Sequence, residues 1–166
     1  MKVRISYFYQ IRNFKQNMIP MSTAMSDPSW FHDFKDQDYI FTDKRGILNG
    51  LRLKPVIVQG GGEHHCPCEA KDPSQCPLTA SYEAALEQID FPAMMRGIES
   101  FCTDYCKQNN INEEPIAVLI VYEAPDNPCS ERHSLIKYFN NHGVECKELD
   151  YPINNPATIK QASFEF

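Results

Sequence analysis

No run in this 166-residue chain approaches the 18 apolar residues that mark a membrane-spanning helix. The opening stretch MKVRISYFYQIRNF has no continuous apolar segment ending in small residues. No signal peptide is therefore expected there, and the chain is expected to stay in the cytoplasm. Basic charge is scarce: 16 Lys and Arg stand against 22 Asp and Glu, a formal net charge of -6. That disfavours a non-specific nucleic-acid coat, which needs a basic field, and leaves room for a local anion site. There is no internal repeat and no low-complexity tract. Gly60-Gly61-Gly62 belongs to no GxGxxG fingerprint and no P-loop, so it reads as flexible linkage. Lys44-Arg45 is too short for a basic patch.

What is present is ordinary globular composition, 42% hydrophobic and 23% charged. A chain of this length buries about 70 per cent of its extended surface, so it needs neither disulfide nor metal to possess a core. One α/β domain over 1–150 is expected, with a loop insertion at 60–77 and an irregular tail at 151–166. Residues 2–9 (KVRISYFY), 19–25 (IPMSTAM) and 53–59 (LKPVIVQ) read as extended. Leu78, Tyr82, Ala85, Leu86 and Ile89 recur at helical spacing, as do Met94, Ile98, Phe101, Cys102 and Tyr105. Asp90 and Pro92 start the second of these helices, and Asn109-Asn110 end it. Ile116 to Tyr122 (IAVLIVY) is apolar on both faces, as a central parallel strand must be. A helix is expected over 128–142, closed by His142-Gly143, then a strand over 144–149. Strand–helix–strand units imply a mostly parallel, Rossmann-like sheet with flanking helices.

Seven cysteines are many for a reduced compartment, and an odd count cannot all pair within one chain. His64, His65, Cys66, Cys68 and Cys76 fall within 13 residues between a strand and a helix. Structural zinc takes four such ligands, and a helix N-terminus at Cys76 would favour the thiolate it needs. The spacing is not the paired Cys-x-x-Cys of a zinc ribbon. The expected set is Cys66, Cys68, Cys76 and His65, with His64, Cys102 or Cys106 as alternatives for the fourth position. Cys102 and Cys106 share a helix face that could clasp a metal, while small core residues are the plainer reading.

The turn after the apolar strand, VYEAPDNPCSERHSLI, is the default place for chemistry, because ligands of open α/β sheets bind at strand carboxyl ends. Asn127 suits an N-cap and Pro128 the first helical position. That puts Cys129 in the first turn with Arg132 and His133 three and four residues on. A thiol beside a cation and a helix start is acidified. The same arrangement without a covalent step is an anion site formed by Cys129, Ser130 and Arg132. Cysteine phosphatases place arginine six positions after the nucleophile, where this chain has Leu135, so that chemistry is disfavoured. Glu123 and Asp126 are candidate acids or bases. Ser6 and Ser22 are candidate neighbours on other strand ends. Tyr7, Tyr9 and Arg12 could reach the same edge, although core packing of the aromatics and a solvated Arg12 is the plainer reading. Trp30 reads as a core or lid anchor.

The opening ISYFYQIRNFKQNMIPMSTA and the internal run LIVYEAPDNPCSERHSLIKYF resemble the domain-of-unknown-function family 488, in its phage and gut-bacterial subgroup. The first matches a strand ending in Ser-Tyr-Phe followed by a Pro-x-Ser strand. The second matches an apolar strand, a Tyr-Glu pair and a Cys–Arg helix start. Many members carry adjacent Cys-His-Arg there, whereas here His133 follows Arg132. The cysteine-rich loop resembles an insertion of the same subgroup, with Cys66-Pro67-Cys68 an unusual variant. The resemblance covers most of residues 2–150 and implies a compact Rossmann-like fold with no settled activity.

Three functions remain open at this point. The first is an enzyme using Cys129, Arg132 and Glu123 on a nucleotide, a nucleic-acid end or a phosphorylated small molecule. The second is a non-catalytic, zinc-stapled module that binds a protein partner. The third is a thiol redox sensor.

Overall fold

The computed structural model describes residues 1–24, 27–33, 48, 50–51 and 76–150. In chain order these form β1 (Lys2–Tyr7), a 3-10 helix (Phe8–Asn13), β2 (Met18–Ser22), α1 (Ser29–Asp33) and α2 (Pro77–Leu86). There follow α3 (Phe91–Gln108), β3 (Ile116–Val121), α4 (Arg132–Asn141) and β4 (Cys146–Glu148). The expected strand at 53–59, most of the cysteine-rich loop and the tail from Tyr151 lie outside the described residues.

The four strands form one all-parallel sheet in the order β2-β3-β1-β4. The most apolar segment takes a central place: Ala117 to Val121 are wholly buried. Among the described residues β2 and β4 are the edges. Pro20 lies within β2, where an edge strand tolerates its missing N–H. β4 is only three residues long, which keeps that exposed edge short. The chain leaves β3, passes through α4 and returns on the far side of β1, so β1 lies between β3 and β4.

β1 ends at Tyr7 rather than Tyr9, because its last register partner on β3 is Val121. The next turn is a 3-10 helix that buries Phe8 and Ile11, three residues apart on one side. α3 is the longest element. The Asp90 carboxylate accepts from the Ala93 N–H at 3.0 Å, and Pro92 occupies the first turn, where its N–H is not needed. Its inward stripe is Met94, Met95, Ile98, Phe101, Cys102, Tyr105 and Cys106. Asn110 closes the helix at φ 55, and the Ile111 N–H reaches back to the Cys106 carbonyl at 2.9 Å. Gly143, at φ 78, closes α4 the same way, with Val144 N–H on the Phe139 carbonyl at 3.0 Å. Phe91 at the start of α3 meets the rings of Tyr138 and Phe139 on α4, each at 5.5 Å, joining the helices to one another.

α4 begins at Arg132, four residues later than expected. The Asn127 side chain accepts from the Cys129 N–H at 2.9 Å, folding an Asx turn ahead of the helix instead of capping it. No helix among the described residues is long and apolar enough to cross a membrane. Leu119 is fully buried in the centre of the sheet. Leu119→Ala is expected to lower the unfolding free energy by about 2–5 kcal/mol, read as a shifted midpoint in urea at unchanged slope.

Candidate functional site

β3 runs out at Val121, and the next residues carry the chain over the carboxyl end of the sheet. Tyr122 is half exposed and packs on Phe8 at 4.9 Å. Glu123 follows, half-buried. The chain turns through Ala124–Asn127 and comes back at Ser130, Glu131 and Arg132, all three buried.

Arg132 organises this corner. Its side chain is fully buried on the first residue of α4. Nη1 donates to Glu148 Oε1 of β4 at 2.7 Å. Nη2 donates to the Glu123 carbonyl, and Nε donates to Ser130 Oγ at 3.3 Å. The Tyr7 ring of β1 lies 6.0 Å from the guanidinium carbon. One side chain thus joins the end of β3, the loop and β4 beside the end of β1. A buried charge requires this degree of neutralisation and bonding.

The consequence differs from the expected anion site. The positive charge of Arg132 is neutralised within the protein by Glu148, and each of its three nitrogens already donates a bond. Cys129 is half-buried and lies three residues ahead of α4 rather than in its first turn. His133 is exposed, its Nε2 3.1 Å from the Asn127 carbonyl oxygen.

The corner holds a second feature. Ser130 Oγ accepts from the Arg132 backbone N–H at 3.3 Å and donates to Glu123 Oε2 at 3.2 Å. The Glu131 carboxyl is hydrogen-bonded to the Glu123 side chain. Burial and then the neighbouring Glu123 charge push Glu131 up to about 8, against smaller opposing effects of a backbone hydrogen bond and Arg132. Near neutral pH Glu131 therefore keeps its proton. Two adjacent carboxyls holding one proton form a paired acid and base. With Arg132 and Glu148 cancelling, the corner keeps one net negative charge. Across from it on α2, Tyr82 is buried and donates to the Leu51 carbonyl at 2.6 Å. Burial, and then the Glu131 charge, hold this phenol well above its ordinary range.

Ser6 and Ser22 flank Ile120 in register, while Tyr7 pairs with Val121 and Ile5 with Glu148. Side chains alternate faces along a strand, so the two serines project from the face opposite Tyr7 and Glu148. They are not neighbours of the Arg132 corner. Ser22 donates to Asp27 instead. Of the three N-terminal candidates only Tyr7 borders Arg132; Arg12 is exposed and lies over the Tyr9 ring at 4.1 Å. Asp126 is exposed in the turn. Trp30 is 39% exposed and lies edge-on to Phe8 at 6.1 Å and to Phe31 at 6.3 Å.

The cysteines divide by environment. Cys102 and Cys106 are core residues of α3. Burial, then the charges of Cys106 and Glu99, push the Cys102 thiol up to about 12. Burial and Glu113 also raise Cys106. Burial favours the thiol form of both. Cys76 is buried at the N-cap of α2, as expected. Cys66, Cys68, His64 and His65 lie outside the described residues. Among the described residues no group of three His, Cys, Asp or Glu side chains could hold a metal.

Sequence reasoning missed Glu131, Glu148 and Tyr82. Glu131 carried a signal, since an acid next to a strand-end arginine can face inward with it. Glu148 and Tyr82 carried none. In comparisons with protein-family models, curated proteins and solved structures, nothing matches the chain.

A raised carboxyl pKa fixes the sign of the pH dependence. Folded Glu131 holds its proton above the ordinary value of 4.5, so its contribution is full below 4.5 and lost as pH rises through about 8. Wild-type stability should fall across that window by at most about 1.4 kcal/mol per pH unit. Urea unfolding at stepped pH should show this slope in wild type and lose it in Glu131→Gln.

Proposed function

We propose that this chain is an acid–base enzyme whose centre is the Glu123–Glu131 pair, acting on an uncharged or cationic polar substrate. The carrying observation is the buried, protonated Glu131 carboxyl bonded to the half-buried Glu123 at the carboxyl end of a central parallel strand. Glu131 is the acid and Glu123 the base. Ser130 orients the Glu123 carboxylate, and Arg132 fixes the segment that carries both. Hydrolysis of a neutral bond fits these parts: protonated Glu131 supplies the leaving group with a proton, and Glu123 takes one from water. This reading keeps the Rossmann-like placement of the site and replaces a phosphorylated substrate with one that a negative corner accepts. Cys129 has no role in it.

The test is turnover of chromogenic nitrophenyl esters, anilides and glycosides, with nitrophenyl phosphate as the charged comparison. An uncharged member should react, with its rate falling as pH rises through about 8. Glu131→Gln and Glu123→Gln should each lower that rate by about 100-fold or more. Rates untouched by both substitutions, or turnover of the phosphate alone, would overturn the reading.

A second reading concerns the loop and rests on Cys76 at the N-cap of α2. We infer a structural zinc bound by Cys66, Cys68, Cys76 and His65, with His64, Cys102 or Cys106 as the alternative fourth ligand and a protein partner docking on the stapled loop. Elemental analysis of purified protein should give about one zinc per chain, in keeping with a single four-ligand site, and less in Cys76→Ser. No metal, together with thiols that oxidise reversibly, would instead favour the redox reading.

A further inference from the structure

α2 and α4 run beside each other, and a groove opens between them on the outside of the helix layer. Its walls carry Glu83, Leu86 and Glu87 from α2 and its C-terminal cap, and Ser134, Lys137 and Tyr138 from α4, with Asn141 at one end. The cavity volume is about 30 Å³, room for one or two water-sized groups.

Two groups in this groove are incomplete. Tyr138 is only 4% exposed, yet its hydroxyl makes no hydrogen bond among the described residues. The ring is wedged among Phe91 at 5.5 Å, Phe139 at 5.9 Å and His142 at 4.5 Å, so the hydroxyl has little freedom to seek a partner elsewhere. The Glu87 charge reaches it: burial, then Glu87, raise the phenol above its ordinary range. A buried hydroxyl left unpaired is destabilising. The second incomplete group is Glu87 itself. Glu83 accepts from Ser134 Oγ at 3.0 Å and pairs with Lys137 at 3.5 Å. Among the described residues no cation pairs with Glu87. The groove therefore keeps one unbalanced negative charge beside one unpaired phenolic oxygen.

We propose that this groove binds a primary ammonium group, which donates to the Glu87 carboxylate and to Tyr138 Oη. An ammonium is compact, carries three donors and one charge, and matches both vacancies at once. A guanidinium is planar and larger, and it is a poorer fit to a cavity of about 30 Å³. The group could be the lysine side chain of a partner or the end of a free polyamine. The site is separate from the Glu123–Glu131 pair and does not rest on the enzymatic reading.

The experiment is titration of the full chain with methylammonium, followed by amide chemical shifts of α2 and α4, with tetramethylammonium and guanidinium as comparisons at constant ionic strength. Saturable shifts centred on Glu87 and Tyr138 are expected with methylammonium and not with tetramethylammonium, which has no donor. Tyr138→Phe and Glu87→Gln should each weaken binding about tenfold, the worth of one hydrogen bond. Glu87 is exposed at the helix end, so its variant keeps the test valid if Tyr138→Phe fails to fold. Parallel titrations with spermidine and with a lysine-containing peptide then assign the source, the tighter of the two naming it. Absence of saturable shifts, equal binding of tetramethylammonium, or tighter binding of calcium at the same resonances would each overturn the proposal.

Discussion

A guanidinium with no exposed surface dictates the architecture around it. Arg132 sits where the sheet ends and α4 begins, and its charge has nowhere to go but into neighbouring protein groups. Water cannot solvate it, so the protein supplies a carboxylate, a carbonyl and a hydroxyl. Those partners come from three separate segments. β4 must bring Glu148 to the carboxyl edge, the segment after β3 must turn its Glu123 carbonyl inward, and the loop must return with Ser130 facing the same point. Removing any partner leaves a buried polar group exposed to the low dielectric, which penalises every alternative arrangement of the corner.

The corner could not be assembled from local sequence, because its geometry depends on strand order. Glu148 lies 16 residues from Arg132 and reaches it because β4 pairs with β1 rather than with β3. β1 inserted between them sets the spacing that α4 must span. Tyr7 joins the corner for the same reason: β1 is in register with β3 up to Tyr7 and Val121, so both strands end at one level. The aromatic cluster of Phe8, Trp30, Phe31 and Tyr122 then packs at that end of the sheet.

What the sequence showed well was whatever depends on periodicity and caps. IAVLIV is central and buried, α3 carries its stripe behind Asp90, and Gly143 closes α4. The turn at 122–133 was also legible as the place for chemistry, since it follows the most apolar strand. The chemistry within it was not. Side-chain alternation alone separates Ser6 and Ser22 from the corner, and alternation is informative only once the register is known. The late start of α4 turned on a competition for Asn127, whose amide oxygen serves an Asx turn in place of a helix cap. Arg132 read as the cation of an anion site because nothing within a few residues of it announced Glu148. Cys102 and Cys106 showed both readings at once, a shared helix face and a core stripe, and both are buried in that stripe.

One positive charge among three carboxyl groups explains the electrostatic character of the site. Glu148 takes the guanidinium directly, in a 2.7 Å contact. Glu123 is served by the Ser130 hydroxyl on one oxygen. Glu131 receives only a minor share of the Arg132 field, while burial and Glu123 act against its ionisation, so a proton does for Glu131 what the arginine does for Glu148. Had Arg132 faced Glu131 instead, that carboxyl would ionise at an ordinary pH, and the corner would be a pair of static ion contacts. The division of the single cation is therefore what leaves a titrating proton near neutrality at the end of the sheet. It also leaves the corner negative, a field that repels anions and favours neutral or cationic groups.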